Sequence, residues 1–190
     1  MTKLQNKDTK QGVRILANAF EHNLSVNHIV KQDHLRSQRL IALMNYTFKV
    51  CGAYGKVFIS ADGCACALVM LPDKKKVSMK MLFWDLKLIV NVIGIDHLFK
   101  VLKRETLIRQ SRPFMEMYYL WFIGVHPLAQ HRGRGTELLE ALIADARAMK
   151  RPIFLETSVL KNVPWYEKFG FRIYHEINLG YKLYFMKMDT

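Results

Sequence analysis

The chain has 190 residues, of which 51% are hydrophobic and 24% charged, and it carries a formal net charge of +13. That balance excludes a disordered segment and predicts one globular domain with a substantial core. The positive charge invites a polyanion, but Lys and Arg are scattered and no helix-turn-helix, zinc-finger or aromatic-platform pattern accompanies them, so no nucleic-acid partner is expected.

In chain order, Met1 to Asp8 lacks the apolar core of a secretory signal, and a cytosolic (cytoplasmic) location is expected. Gly12 to Phe20 places Val13, Leu16, Ala17 and Phe20 at helical steps, and Leu24 to Phe48 reads as one or two further helices. Lys56 to Ser60 and Cys64 to Leu71 read as a β-hairpin around the Ala61-Asp62-Gly63 turn. Three cysteines, Cys51, Cys64 and Cys66, fit a reducing compartment, with Cys64 and Cys66 on one face of a strand. No second Cys or His pair stands at ligand spacing, so these are core thiols and no metal is expected. Lys74-Lys75-Lys76 reads as a solvated loop, and Lys76 to Arg109 as helix, split near Gly94 and stopped by Arg112-Pro113. Its most apolar part, Met81 to Leu98, is broken by Asp85, Lys87, Asn91 and Asp96. It is too short and too charged to span a bilayer, so it is expected to be a buried or groove-lining helix, with no membrane partner. Then come a strand from Met115 to Val125, a helix from Thr136 to Lys150, a strand from Pro152 to Thr157 and a short helix from Asn162 to Phe169. Gly170 closes that helix, and strands from Phe171 to Asn178 and Tyr181 to Met188 end the chain.

The chemistry-bearing segment is Gln130-His131-Arg132-Gly133-Arg134-Gly135, between the strand ending at Val125 and the helix beginning near Thr136. Two glycines permit positive φ and close approach, and amides at a helix start attract an anion. Arg132 and Arg134 add mobile positive charge. The pattern suits a phosphate-bearing ligand. It lacks the Lys of a Walker loop, and Leu138 stands where a dinucleotide fingerprint needs its third Gly.

With the downstream block Leu155-Glu156-Thr157-Ser158, Asn162 and Tyr166-Glu167-Lys168-Phe169-Gly170-Phe171, this turn resembles the acetyl-coenzyme A site of the GCN5-related N-acetyltransferases (GNAT). Within that superfamily the wording is nearest to puromycin-acetyltransferase-like small-molecule members. The resemblance is clear from about Tyr118 to Met188. It implies an α/β (α+β) GNAT fold: a mixed, mostly antiparallel twisted sheet of about six or seven strands flanked by helices and splayed between the fourth and fifth strands. Residues 1–114 would supply the acceptor side and 115–190 the acetyl-CoA-binding core of a single acyltransferase domain.

The resemblance implies roles for residues. The backbone of Ile123, Gly124 and Val125 would pair with the pantetheine arm, Gly124 marking a splay or bulge. Gln130, His131, Arg132, Gly133, Arg134, Gly135 and Thr136 would hold the pyrophosphate, Asn162 the pantetheine arm, and Phe169 would complete the cofactor site. Tyr166, one turn beyond Asn162, would protonate the leaving thiolate. Histone-acetylating members carry a Glu eleven residues before the loop Gln, and that position here is Tyr119. The candidate bases are therefore Glu156, Glu116 if a bulge turns it, and His126, with bulk water as the fourth route. The activity implied is direct transfer of an acetyl group from acetyl-CoA to a primary amine, a small molecule because Lys76 to Arg109 would narrow the opening. Aromatics such as Phe83, Trp84, Trp121 and Phe122 are read as core. Two alternatives are an acyl-CoA sensor without turnover and a basic nucleic-acid-associated protein. A monomer or a homodimer made by exchange or pairing of Lys182–Met188 is compatible with the chain.

Overall fold

The computed structural model describes residues 6–190. Three helices open the chain: α1 (Asn6–Ala19), α2 (Leu24–Ile29) and α3 (Arg36–Tyr54). The Asn23 side chain caps α2 by accepting the Val26 N–H. The hairpin follows as β1 (Gly55–Ile59) and β2 (Ala65–Met70). Its turn is fastened by the Ser60 hydroxyl and the Asp62 carboxylate, which accept the Cys64 N–H at 3.1 and 3.0 Å. Next come α4 (Met79–Leu88), a π-type turn at Ile89–Ile93, α5 (Leu98–Ser111), β3 (Tyr118–Val125), α6 (Arg134–Ala148), β4 (Ile153–Thr157), α7 (Val163–Glu167), β5 (Arg172–Asn178) and β6 (Lys182–Met188).

The strands form one sheet in the order β1-β2-β3-β4-β6-β5. Every pair is antiparallel except β3 with β4, which run parallel and meet only at Tyr118↔Ile153 and Tyr119↔Phe154. Beyond Tyr119 the two strands part. The first half supplies only two strands, so the expected splay falls between the third and fourth strands in this chain's order.

A bulge decides which β3 side chains face which way. Leu68 pairs with Phe122 and Val69 with Leu120, which leaves Trp121 as the extra residue. Tyr118 and Leu120, then Ile123 and Val125, therefore face α6, where they join Leu138, Leu139, Leu142 and Ile143. Phe122 faces the opposite layer with Leu16, Met44, Phe48 and Leu68. β2 is buried on both faces, as its unbroken apolar sequence Ala65-Cys66-Ala67-Leu68-Val69 demands.

Two expectations are corrected. Met81 to Leu98 is neither one helix nor buried: Met81, Val92 and Ile93 face inward, whereas Leu82, Phe83, Leu86 and Val90 face solvent. The segment is apolar on two faces, and only one of them meets other described residues. Cys64 stands in the turn before β2, half-buried, while Cys51 and Cys66 lie in the core, where burial pushes both thiols up. Lys182–Met188 is an interior strand paired with β4 and β5, so the free edge at that end of the sheet is β5. No helix among the described residues is long and apolar enough to cross a membrane, and no group of three or more His, Cys, Asp or Glu is placed to hold a metal ion.

Candidate active site

The loop between β3 and α6 is built by backbone conformation. His131 and Gly133 have φ of 62° and 78°, in the left-handed region, so the chain reverses twice before α6 starts. The ladder of α6 opens with the Glu137 N–H on the Gly133 carbonyl at 3.0 Å. The amides of Arg134, Gly135 and Thr136 are left without intrahelical acceptors at the positive end of the helix dipole. A Cβ added at Gly133 would meet nothing within 4 Å, so the space above the loop is open.

This loop forms one end of a groove of about 710 Å³. Ile123, Gly124 and Val125 line it along the β3 edge that β4 has left. Gln130, His131, Gly133, Arg134, Gly135 and Thr136 line the helix end, and Asn162, Trp165 and Tyr166 the opposite wall. The Asn162 side chain caps nothing, so its amide is free to bond a ligand.

Other expected residues fall differently. Gly124 is paired in register with Cys66, and a Cβ there would come within 2.9 Å of the Ala19 Cβ and 3.0 Å of a Leu16 methyl. It is a glycine because α1 lies against the strand, not because the strand bulges there. Arg134 is held by Asp62 at 2.6 Å and Glu137 at 3.0 Å, so it reaches a phosphate only by exchanging partners. Arg132 is exposed and lines no wall of the groove. Phe169 follows α7 and packs edge-on against Trp165, with ring centroids 5.6 Å apart, behind the groove. Conversely, Asn18, Phe20, His22 and Asn23 line the groove from the end of α1 and the turn after it, with no motif to announce them.

A smaller hollow of about 100 Å³ lies deeper, between α2, α5, β3 and the end of β4. The two spaces share Phe20, Asn23, Ile123, Asn162 and Tyr166. Tyr166 thus stands where they join. Its ring is 6% exposed and packs on Trp165 and Phe171. Its hydroxyl bonds to none of the described residues, and burial raises the phenol well above its ordinary value. It is a core ring that also fronts both hollows.

The smaller hollow is polar on one side. The Arg112 guanidinium grips Glu156 through Nε at 2.7 Å and Nη2 at 3.0 Å. The Tyr119 hydroxyl donates to Glu156 Oε2 at 2.5 Å and accepts from Arg112 Nη2 at 2.6 Å. Both oxygens of Glu156 are therefore engaged. Buried Arg104 adds bonds to Tyr181 and Ser25 and an ion pair with Glu105. The other two candidate bases are elsewhere. Glu116 precedes β3 and pairs with Arg151 at 2.9 Å, because the bulge comes at Trp121, downstream of it. His126 accepts the Leu128 N–H in the loop after β3 and lines neither hollow.

Residues 90–173 match the family model described as the acetyltransferase (GNAT) domain. Over that stretch the chain is similar to the GNAT acetyltransferases. Solved structures agree in fold. A histone acetyltransferase HPA2 and related acetyltransferase from Corynebacterium glutamicum superposes with a TM-score of 0.70 at 18% identity, over 100% of this chain and 95% of that one. The C-terminal condensation domain of Ebony, in complex with beta-alanyl-dopamine, gives 0.69 at 9% identity over 100% and 97%. An N-acetyltransferase from Staphylococcus aureus Mu50 gives 0.62 at 11% identity over 97% of each chain.

Proposed function

We propose that this protein transfers an acetyl group from acetyl-CoA directly to a primary amine of a small molecule, both substrates being bound at once. The observation that carries the reading is the junction of two hollows at Tyr166, one headed by the open amides of α6 and the other lined by Tyr119 and Glu156. The larger groove suits the cosubstrate. Its amides at residues 131–136 present donors for a diphosphate, the unpaired β3 edge from Ile123 to Val125 suits an extended amide-bearing arm, and Asn162 stands across from it.

At the junction, Tyr166 supplies a proton to the departing sulfur. Its phenol is protonated at neutral pH and burial raises it further, so it holds that proton until charge develops. Strand β3 has no carboxylate at Tyr119, but Glu156 approaches that phenol from β4. Tyr119 accepts the amine proton while passing its own to Glu156, so the neighbouring strand supplies the base that β3 lacks. A backbone N–H of the parted β3 edge meets the developing negative oxygen. Arg112 holds Glu156 and Tyr119 in this relation. The small volume of the inner hollow favours a small acceptor.

Calorimetry with acetyl-CoA, followed by thiol release across a panel of small amines, tests the proposal. Saturable binding and amine-dependent thiol release are expected. Binding without release under any amine would support the sensor alternative, and no binding would refute both.

A further inference from the structure

Much of the apolar surface left uncovered belongs to one segment, residues 77–107, on the side of α5 away from the inner hollow. On α4, Met79, Leu82, Phe83 and Leu86, continued by Val90, stand at helical steps on one outward stripe, with Met79 81% and Leu82 61% exposed. Ile95, before α5, and Phe99 and Leu102 on α5 are exposed as well, Phe99 being 81% exposed. None of these side chains lines either hollow, so acetyl transfer does not account for them. Uncovered apolar surface on this scale marks an interaction site.

Charge selects the occupant. Exposed Lys74, Lys75, Lys76, Lys80, Lys87 and Lys100 border the stripe, and none forms an ion pair with a described residue. The acids of the segment are already engaged: Asp85 accepts from Tyr46 at 2.7 Å, Asp96 pairs with Lys31 at 2.9 Å and Glu105 pairs with Arg104. A second copy would bring like charges together on a chain of net +13. A polynucleotide would satisfy the lysines and leave the apolar stripe in water. Two lysines also lie against rings, Lys87 Nζ 4.4 Å from the Phe83 centroid and Lys80 Nζ 5.0 Å from that of Trp84. Their ammonium groups can rest among headgroups while the rings and Leu82, Leu86 and Val90 enter the acyl boundary.

We infer that α4 and the start of α5 form a peripheral docking surface for an anionic lipid bilayer. The surface lies flat on the headgroups, without a spanning segment. The expectation of no membrane partner rested on the lack of a spanning segment, and a surface contact needs none. Because α5 also carries Arg104 and Ile108 into the inner hollow, docking holds that hollow close to the lipid surface.

The test is co-sedimentation of the full chain with vesicles of phosphatidylcholine alone and with about 30% phosphatidylserine, at low and physiological salt. Strong binding to the anionic vesicles is expected, with about tenfold less on neutral ones. Leu82→Glu with Leu86→Glu should lower anionic-vesicle binding about tenfold while far-ultraviolet circular dichroism and melting stay unchanged. Lys80→Glu with Lys87→Glu should do the same. Thiol release from acetyl-CoA without vesicles should be unaltered by either pair, which separates a failure here from a failure of the proposed activity. No binding to anionic vesicles would overturn the inference. So would binding that the Leu82 and Leu86 changes leave intact, which would signify a diffuse polyanion effect. Light scattering that finds a dimer broken by those changes, with no vesicle binding, would assign the stripe to a second copy instead.

Discussion

The groove at the head of α6 and the hollow beyond Tyr166 are constructed in opposite ways. The groove's loop end is local: six consecutive residues, Gln130 to Gly135, bend the backbone and expose amides, so its geometry is independent of most side chains. The inner hollow is assembled from α2, α5, β3, β4 and α7, and its polar side depends on Arg112, Tyr119 and Glu156, which come from three separate elements. A site made of main chain tolerates side-chain change and is sensitive to φ. A site made of one connected side-chain network fails as a unit.

That contrast can be broken or sharpened by substitution. Tyr166→Phe, at the junction, should reduce kcat on the order of 10³-fold with the acetyl-CoA Kd unchanged, as calorimetry and thiol release would report. An unchanged kcat would return Tyr166 to the core alone. Glu156→Gln should lower kcat about a hundredfold and displace the pH–rate profile. It should also destabilise the fold by about 2 kcal/mol, because it strips a partly buried Arg112 of its partner. A fall in Tm with a superimposable pH profile would confine Glu156 to structure. In the groove, Gly133→Val forces a branched side chain to φ 78° and should weaken acetyl-CoA binding about tenfold, leaving kcat at saturation near wild type. Arg134→Ala should change affinity less than threefold, roughly, because that side chain is already shared by Asp62 and Glu137.

The smallest expected effect concerns α2, on the hollow's outer wall. His28 is lowered from 6.5 to about 4, first by burial and then by the positive charges of Lys100, Arg104 and His97. The unfolded chain takes up the proton more readily than the folded one, so stability is full above pH 6.5 and falls as pH drops from there toward 4. His28→Gln should flatten the Tm-versus-pH curve across that window by a few degrees, roughly, as differential scanning fluorimetry would record.

Legibility followed the same division. The Gly-rich turn, the α6 core face at Leu138, Leu139, Leu142 and Ile143, and the Asn162–Tyr166 spacing could be read because each is a pattern within a few residues of chain. The bulge at Trp121, the packing role of Gly124 and the hold of Arg112 on Glu156 could not, since each depends on what a distant element brings alongside. Met81 to Leu98 misled for a related reason: hydropathy counts apolar residues but cannot say which face of a helix finds a partner. Local periodicity and turn chemistry therefore determined by themselves the order of elements and the glycine-bearing loop before α6, because φ preferences and helical spacing act over a few residues. Only the tertiary structure decided that β3 and β4 part after Tyr119, that Tyr166 fronts two hollows, and that Glu156 serves a phenol on the neighbouring strand. Those are contacts between segments far apart in the chain, set by how whole faces pack.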